Sequence, residues 1–428
     1  MSSICVEKSS LFGTVCLPPS KSHTLRACLC AALSEGTSRL YNVLASPDTT
    51  AMLEACCVLG AHVDANQMPY GQCIIHGRGA NTMLAGDRID AGNSGQVLRF
   101  VTACAALSDT QVYVTGDDSI QTRRIAWPLL EALSSLGAKA YSVRDNGFAP
   151  LVVQGPIKAG TVVVDGRDSQ PVSALLFALS QLVEPSTITV HNMGEKPWVH
   201  LTLEWLRRMG TTVVCEEENR FCISPRGQFQ GFDYRVPGDL SSLGFLLAAG
   251  LMTHSDITVD NVDLDDVQPD RRVVEILQQM GARFDIDKEK KTVRVQGPQE
   301  LVGIDIDIND CIDAVAILAV LATWAKGKTR LYNGSIARHK ESDRIDAMFK
   351  ELSKMQAKIY QLEDGLEIHT STLQGAHVQS FADHRIAMSL AVGGMTSHGR
   401  TEIDDTRCIQ KSYPGFVRDM QLLGARIS

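Results

Sequence analysis

A chain of 428 residues outruns the span of one hydrophobic core, so two large domains or a repeated architecture is expected. Hydrophobic residues at 44% with aromatics at only 6% suit an aliphatic helix-and-sheet interior, and a formal charge of -8 argues against nucleic acid or an anionic membrane as the main partner while allowing a local basic pocket. The opening MSSICVEKSS lacks a signal-peptide pattern and no apolar stretch reaches the roughly 20 residues of a membrane span, so a cytoplasmic protein is expected, its twelve cysteines small core residues rather than disulfides.

Residues 1 to 19 read as a strand pair, after which one pattern repeats six times. The first apolar helical run is SKSHTLRACLCAAL from Ser20. Its counterparts are NSGQVLRFVTACAAL from Asn93, SQPVSALLFALSQL from Ser169, SSLGFLLAAGLM from Ser241, DAVAILAVLATWA from Asp313 and DHRIAMSLAVGGM from Asp383. Each opens on Ser, Asn or Asp, which favour helix N-caps, and is apolar nearly all round, which predicts a buried helix. A second ladder runs out of phase through VLGAHV, SLGAKA, RMGTTV, QMGARF, KMQAKI and LLGARI, with Gly60, Gly137, Gly210, Gly281, Gln356 and Gly424 in third place. Glycine at five of these six positions suits a helix that ends and turns into a strand. Strand-like runs such as TVVVDG and DITVDNV lie between the ladders. Six units, each with a buried helix, an amphipathic helix and several strands, predict two domains of three, residues 20 to 237 and 238 to 428, with the turn VPGD at 236 to 239 as the crossing.

Helix N-termini expose N–H groups and partial positive charge, so several converging on one place form an anion site. Lys21, Ser22 and Arg26 surround the first start, Asn93 and Gly95 the second, and Ser169 and Gln170 the third; Asp313 opens the fifth and Arg385 the sixth. Ser241 and Ser242 read as caps of the fourth. A lysine at a helix N-terminus opposes the macrodipole by up to about 1 kcal/mol, which makes most sense at Lys21 if an anion is expected there. By itself RHKESDR, residues 338 to 344, does not decide between a solvated charge run and part of a site for a highly charged substrate. GKT at 327 to 329 lacks the upstream glycine of a phosphate loop, and GNSG at 92 to 95 is one residue short of a serine-hydrolase elbow. His384 beside Asp383 has no ligand cluster, so it reads as structural and no metal is expected.

PPSKSHTLR, GNSGQVLR, HKESDRI, ADHRIAM and KSYPGF, in this order along the whole chain, resemble the 5-enolpyruvylshikimate-3-phosphate synthase family. The resemblance implies an α/β (α+β) fold of two domains, each three copies of a βαβαββ unit with buried parallel helices, of the inside-out α/β barrel type. Residues 1 to 19 then join the second domain, and the active site lies in the interdomain cleft, which shikimate 3-phosphate closes. It implies transfer of the enolpyruvyl group of phosphoenolpyruvate to shikimate 3-phosphate by a monomer, with no cofactor and no nucleic-acid or membrane partner. Phosphoenolpyruvate becomes electrophilic only when its methylene carbon is protonated, so an acid is needed there and a base at the attacking hydroxyl. Two phosphates and two carboxylates between the substrates call for clustered cations.

By the same resemblance Lys21, Asn93, Gly95, Arg124, Arg344, Arg385 and Lys411 hold phosphoenolpyruvate, Arg124 fitting the spacing of TRRIAWPLLEAL better than Arg123. Lys21, Ser22, Arg26, Ser169, Gln170, Asp313 and Lys340 hold shikimate 3-phosphate. Asp313 is the implied base, Glu341 exchanges the methylene proton, and Lys21 completes the catalytic set. Within RHKESDR, Lys340, Glu341 and Arg344 then face the cleft, Lys340 and Arg344 sharing a helical face by their i to i+4 spacing, while Arg338 and Asp343 make structural pairs. Gln96, Asp168, Glu195, Trp198 and Ile336 depart from the family's habit. Asp168 and Glu195 put negative charge near the expected phosphate, so either their side chains turn away or Arg167 and Lys196 compensate. Glyphosate is expected to compete at Gly95, with Gln96 altering sensitivity. A sibling family acting on UDP-N-acetylglucosamine carries a reactive cysteine in the loop that here reads GDDSIQTRRIAW, which has none. A noncatalytic relative would not need Lys21, Asp313, Glu341, Arg385 and Lys411 together.

Overall fold

The structure, a computed structural model, describes residues 3 to 428 apart from 82 and 228. It divides into two compact units, Lys21–Val236 on the one hand and Met1–Ser20 with Pro237–Ser428 on the other. Six helices are buried on almost every face because their sequences carry no broad polar stripe. In Lys21–Val236 these are α1 (Lys21–Leu33), α2 (Gly95–Ala105) and α3 (Ser169–Leu179). In the other unit they are α4 (Leu240–Met252), α5 (Val315–Trp324) and α6 (His384–Gly394).

Each buried helix belongs to a βαβαββ repeat. In the second repeat the strand Arg88–Asp90 leads into α2, and Val112–Thr115 returns parallel to it. A buried crossover helix is what lets two parallel strands pair directly. The amphipathic helix Trp127–Ser135 follows, and then Lys139–Ser142 pairs antiparallel with Leu151–Gln154. The sheet therefore runs first, second, fourth, third strand, and the other sheets among the described residues repeat that order. Three repeats are completed by strands from far along the chain. Asp233–Arg235 lies parallel to the Glu35–Tyr41 strand and Ser10–Cys16 parallel to His254–Asp260, while Ser3–Glu7 is antiparallel to Thr401–Asp404 and Arg426–Ile427. Each compact unit has its own hydrophobic core, built on its three buried helices.

The out-of-phase ladder marks where the second helix of each repeat stops. Gly60, Gly137, Gly210, Gly281 and Gly424 have φ between 80° and 103°, the left-handed turn that glycine takes without steric cost. Gln356 takes the same turn at φ 63° despite its side chain. One expectation is corrected. Asp239, not Ser241 or Ser242, caps α4, its carboxylate accepting the Ser242 N–H at 3.2 Å. An aspartate just ahead of the helix reaches its free N–H groups directly, and this leaves the Ser241 hydroxyl to donate to Asp270. Cys28, Cys30, Cys56, Cys73 and Cys104 are free thiols in the core of Lys21–Val236, whereas Cys16, Cys57 and Cys215 are exposed. No helix among the described residues is long and apolar enough to cross a membrane.

Candidate active site

In Lys21–Val236 the candidate residues gather at the starts of α1, α2 and α3. Lys21 opens α1 with its Nζ 3.6 Å from the buried carboxylate of Asp48, so the cation that opposes the helix dipole has an anion beside it. Ser22 Oγ accepts a long hydrogen bond, 3.5 Å, from Gln96 Nε2, and the Gln96 side-chain oxygen is buried without a hydrogen-bond donor. Arg26 is only 1% exposed. Its guanidinium donates to Thr202 Oγ1 at 3.0 Å and to the carbonyls of Ser22 and Trp198, and lies over the Phe100 ring. Burial lowers its pKa to about 9. Trp198 is buried and meets this arginine through its backbone carbonyl.

At α2, Ser94 caps the helix and Asn93 donates to Asp117 at 2.6 Å and Ser119 at 3.0 Å. Gly95 is bordered by the ends of three long polar side chains, which a side chain there would have to push aside. A Cβ there would stand 2.9 Å from Arg99 Nη1, 3.0 Å from Gln170 Oε1 and 3.6 Å from Arg124 Cζ, so Gly95, Gln170 and Arg124 share one crowded polar corner. Arg99, which the sequence reading passed over, organises it: its Nη1 donates to Gln170 Oε1 at 3.0 Å, its Nη2 donates to the Ile125 carbonyl at 2.7 Å, and it pairs with Asp168 at 3.1 Å. The signal was present in GNSGQVLR, where Arg99 follows Gly95 by one helical turn.

Asp168 and Glu195 do not behave as their sequence neighbours suggest. Asp168 caps α3, accepting the Gln170 N–H at 3.0 Å, and its counter-charge is Arg99. Arg167 is instead forked onto Asp165, and Lys196 reaches Glu218 at 2.8 Å. Of the two alternatives, turning away or compensation by Arg167 and Lys196, neither describes Asp168, whose charge is met by Arg99 while Arg167 pairs with Asp165. Glu195 is 1% exposed, and its Oε2 accepts both the Ser169 N–H and the Ser169 hydroxyl at 3.1 Å. The start of α3 is thus occupied by an internal carboxylate.

In the other unit Asp313, Glu341, Arg344, Arg385 and Lys411 form one network. Asp313 rides on the short helical turn Asn309–Ala314 that precedes α5, and receives Arg344 on one oxygen and Arg385 on the other, each at 2.7 Å. Arg344 also donates to Glu341 and to Asp383, both at 2.8 Å, and Lys411 donates to the second Glu341 oxygen at 2.7 Å. Asp383 caps α6, accepting the Arg385 N–H, and takes the Ser342 hydroxyl as well. His384 is buried behind it. Burial works to raise the proton affinity of Asp313, but Arg385, Arg344 and Lys340 overcome it and hold the carboxyl well below the usual range. Burial works against the charge of Arg344, yet Asp383, Glu341 and Asp313 keep it firmly protonated.

Lys340 and Arg344 do not share a helical face. Lys340 leaves the turn Ser335–His339 in extended backbone, and Asp343 caps a new helix, Arg344–Lys354. The chain must break at Asp343 for that cap to form, which is why the i to i+4 expectation fails. Arg338 pairs with Asp343 at 2.9 Å, the structural pair expected of them. Ile336 packs partly buried against the core. Among the described residues the group of metal-ligand types within reach of one another is His377, Glu402 and Asp404, on the paired strands His377–Gln379 and Thr401–Asp404, and His384 is not in it. Asp270, buried near Asp313, was also absent from the sequence reading.

A family model for EPSP synthase (3-phosphoshikimate 1-carboxyvinyltransferase) matches residues 6–420. The protein of that name from Acetivibrio thermocellus is 39% identical over 423 residues, covering 99% of this chain and 98% of its own. One from Chlamydia muridarum is 39% identical over 434 residues, covering 99% and 95%. Among solved structures, an EPSP synthase from Acinetobacter baumannii aligns with a TM-score of 0.82 at 25% identity, covering 100% of this chain and 99% of that one.

Proposed function

The chain belongs to the EPSP synthase family, and from that premise we propose that it transfers the enolpyruvyl group of phosphoenolpyruvate to the 5-hydroxyl of shikimate 3-phosphate and releases phosphate. The observation that carries this reading is the grip of two arginines on one carboxylate, Arg344 and Arg385 each 2.7 Å from Asp313. Anionic phosphoenolpyruvate competes with Asp313 for those guanidinium groups. As they turn to the donor, Asp313 loses the charges that depress its proton affinity and becomes a competent base for the acceptor hydroxyl. Donor binding thereby primes acceptor deprotonation. Glu341 is held between Arg344 and Lys411; as those cations turn to the donor it takes up a proton from solvent, delivers it to the donor methylene and takes it back when phosphate leaves.

The assignment draws on both compact units. Lys21, Asn93, Gly95, Arg124, Arg344, Arg385 and Lys411 serve the donor, and Lys21, Ser22, Arg26, Ser169, Gln170, Asp313 and Lys340 serve the acceptor. Glyphosate competes with the donor beside Gly95, and the protein works as a cytoplasmic monomer. The test is phosphate release from phosphoenolpyruvate with shikimate 3-phosphate or UDP-N-acetylglucosamine as acceptor. Release with shikimate 3-phosphate alone is expected. Release only with the sugar nucleotide would move the chain to the sibling activity, and none with either would mark it as a noncatalytic relative.

A further inference from the structure

Asp270 lies on the turn Pro269–Arg271, which packs against both the start of α4 and the turn that carries Asp313. It is 1% exposed, its Oδ2 accepts the Ser241 hydroxyl, and its Oδ1 has no hydrogen-bond partner. Arg385, 4% exposed, gives Nη2 to Asp313 and leaves its Nε equally without an acceptor. A buried donor and a buried acceptor in one cluster, both unsatisfied, are seldom left so without a reason. A carboxylate buried with a bare oxygen is costly unless it carries a proton or gains a counter-charge.

We propose that Asp270 is a positioning residue paired with Asp313 through its charge, which, on a turn packed against the one that carries Asp313, sets how readily Asp313 takes the proton of the acceptor hydroxyl. This rests on the reading of Asp313 as the base. The groups that face Asp270 are Asp239 and Ser241 from the start of α4, Cys311 and Asp313 from the neighbouring turn, and Arg385 from α6. Burial is the largest influence on Asp270, Asp313 and Asp239 add to it, and Arg385 and Ser241 oppose it, leaving the carboxyl pushed up to about 7. Above that pH Asp270 is ionised and its charge makes Asp313 a better base. Below it Asp270 is neutral, Arg385 acts on Asp313 alone, and the base weakens.

The expected kcat/KM profile has an inflection near neutral pH with the faster limb on the alkaline side. In Asp270→Asn, locked neutral, that inflection disappears and the rate at pH 8 falls roughly threefold to tenfold, in line with the dependence of general-base catalysis on basicity. Ser241→Ala removes a donor that favours ionised Asp270, so its inflection moves to higher pH; it serves as the second variant where Asp270→Asn folds poorly. Carboxyl-carbon NMR of the ligand-free protein reads the same pair without turnover. An aspartate titrating near neutrality, lost in Asp270→Asn and moved upward in Ser241→Ala, supports the pair even if the acceptor assay is silent, which would count against the acceptor instead. No such titration, or an inflection that persists in Asp270→Asn, overturns the proposal.

Discussion

Helices α3 and α6 open in the same way and leave opposite chemistry behind. Asp168 and Asp383 each accept the N–H two residues on, at 3.0 and 2.9 Å, and each holds an arginine, Arg99 at 3.1 Å and Arg344 at 2.8 Å. At α6 the arginine is shared among three carboxylates, so an incoming anion can replace one of them while the cation stays. At α3 the next donors, the N–H and hydroxyl of Ser169, are already bound to buried Glu195. On the proposed reading, one start exchanges anions around its arginine, whereas the other displaces a built-in carboxylate to bind a phosphate. Identical capping therefore says little about affinity, which is decided by what fills the next shell of donors.

The strongest way to break this comparison is to remove its two arginines in turn. Arg344→Met leaves Asp313, Glu341 and Asp383 short of a shared cation, and a loss of about 3 to 5 kcal/mol in denaturant unfolding is expected. Arg99→Met touches one carboxylate and should lose less; equal losses would erase the distinction. Asp313→Asn tests the exchange itself. With the carboxylate gone kcat should fall by about 10² to 10⁴, while phosphoenolpyruvate binds no more weakly because Arg344 and Arg385 are released to it. Steady-state kinetics with direct titration of the donor separates the two, and weaker donor binding would show that Asp313 positions the arginines rather than competing for them. At α3, Glu195→Ser opens the Ser169 donors, and KM for shikimate 3-phosphate should drop roughly tenfold with kcat little changed, about the value of one charged hydrogen bond. An unchanged KM would mean that the phosphate binds without contesting Glu195.

How much of this was legible beforehand depends on whether a feature is local in the chain. The six apolar runs and the glycine ladder report local requirements, burial on every face and a left-handed turn, and both lie where they were read. The charge partners are not local. Arg167 stands next to Asp168 in the chain but turns to Asp165, while Arg99 arrives from another repeat. Ser241 looked like a cap because serine favours that place, yet Asp239 took the role and freed the serine for Asp270. Asp270 itself sits in an unremarkable stretch, VQPDRR, and only its burial beside Asp313 gives it chemical meaning. The quoted motifs place the candidate residues along the chain; the counter-ions they meet come from other repeats and could not be read there.

The smallest expected effect separates the shared skeleton from the charges laid on it. Gln356 occupies the place that glycine holds in the other five repeats, exposed, with φ 63°. A side chain in the left-handed region costs about 1 to 2 kcal/mol, and a glycine there gives back part of that through its greater freedom when unfolded, about 0.5 to 1 kcal/mol. Gln356→Gly should therefore raise stability by roughly 0.5 to 1 kcal/mol, read as a higher denaturation midpoint at constant slope. Both Michaelis constants and kcat should stay where they are, because the turn between Arg344–Lys354 and the following strand carries none of the charged groups. A kinetic change would show that the repeat skeleton and the α6 network are not separable, and the contrast between α3 and α6 would then have to be explained by backbone position as well as by charge.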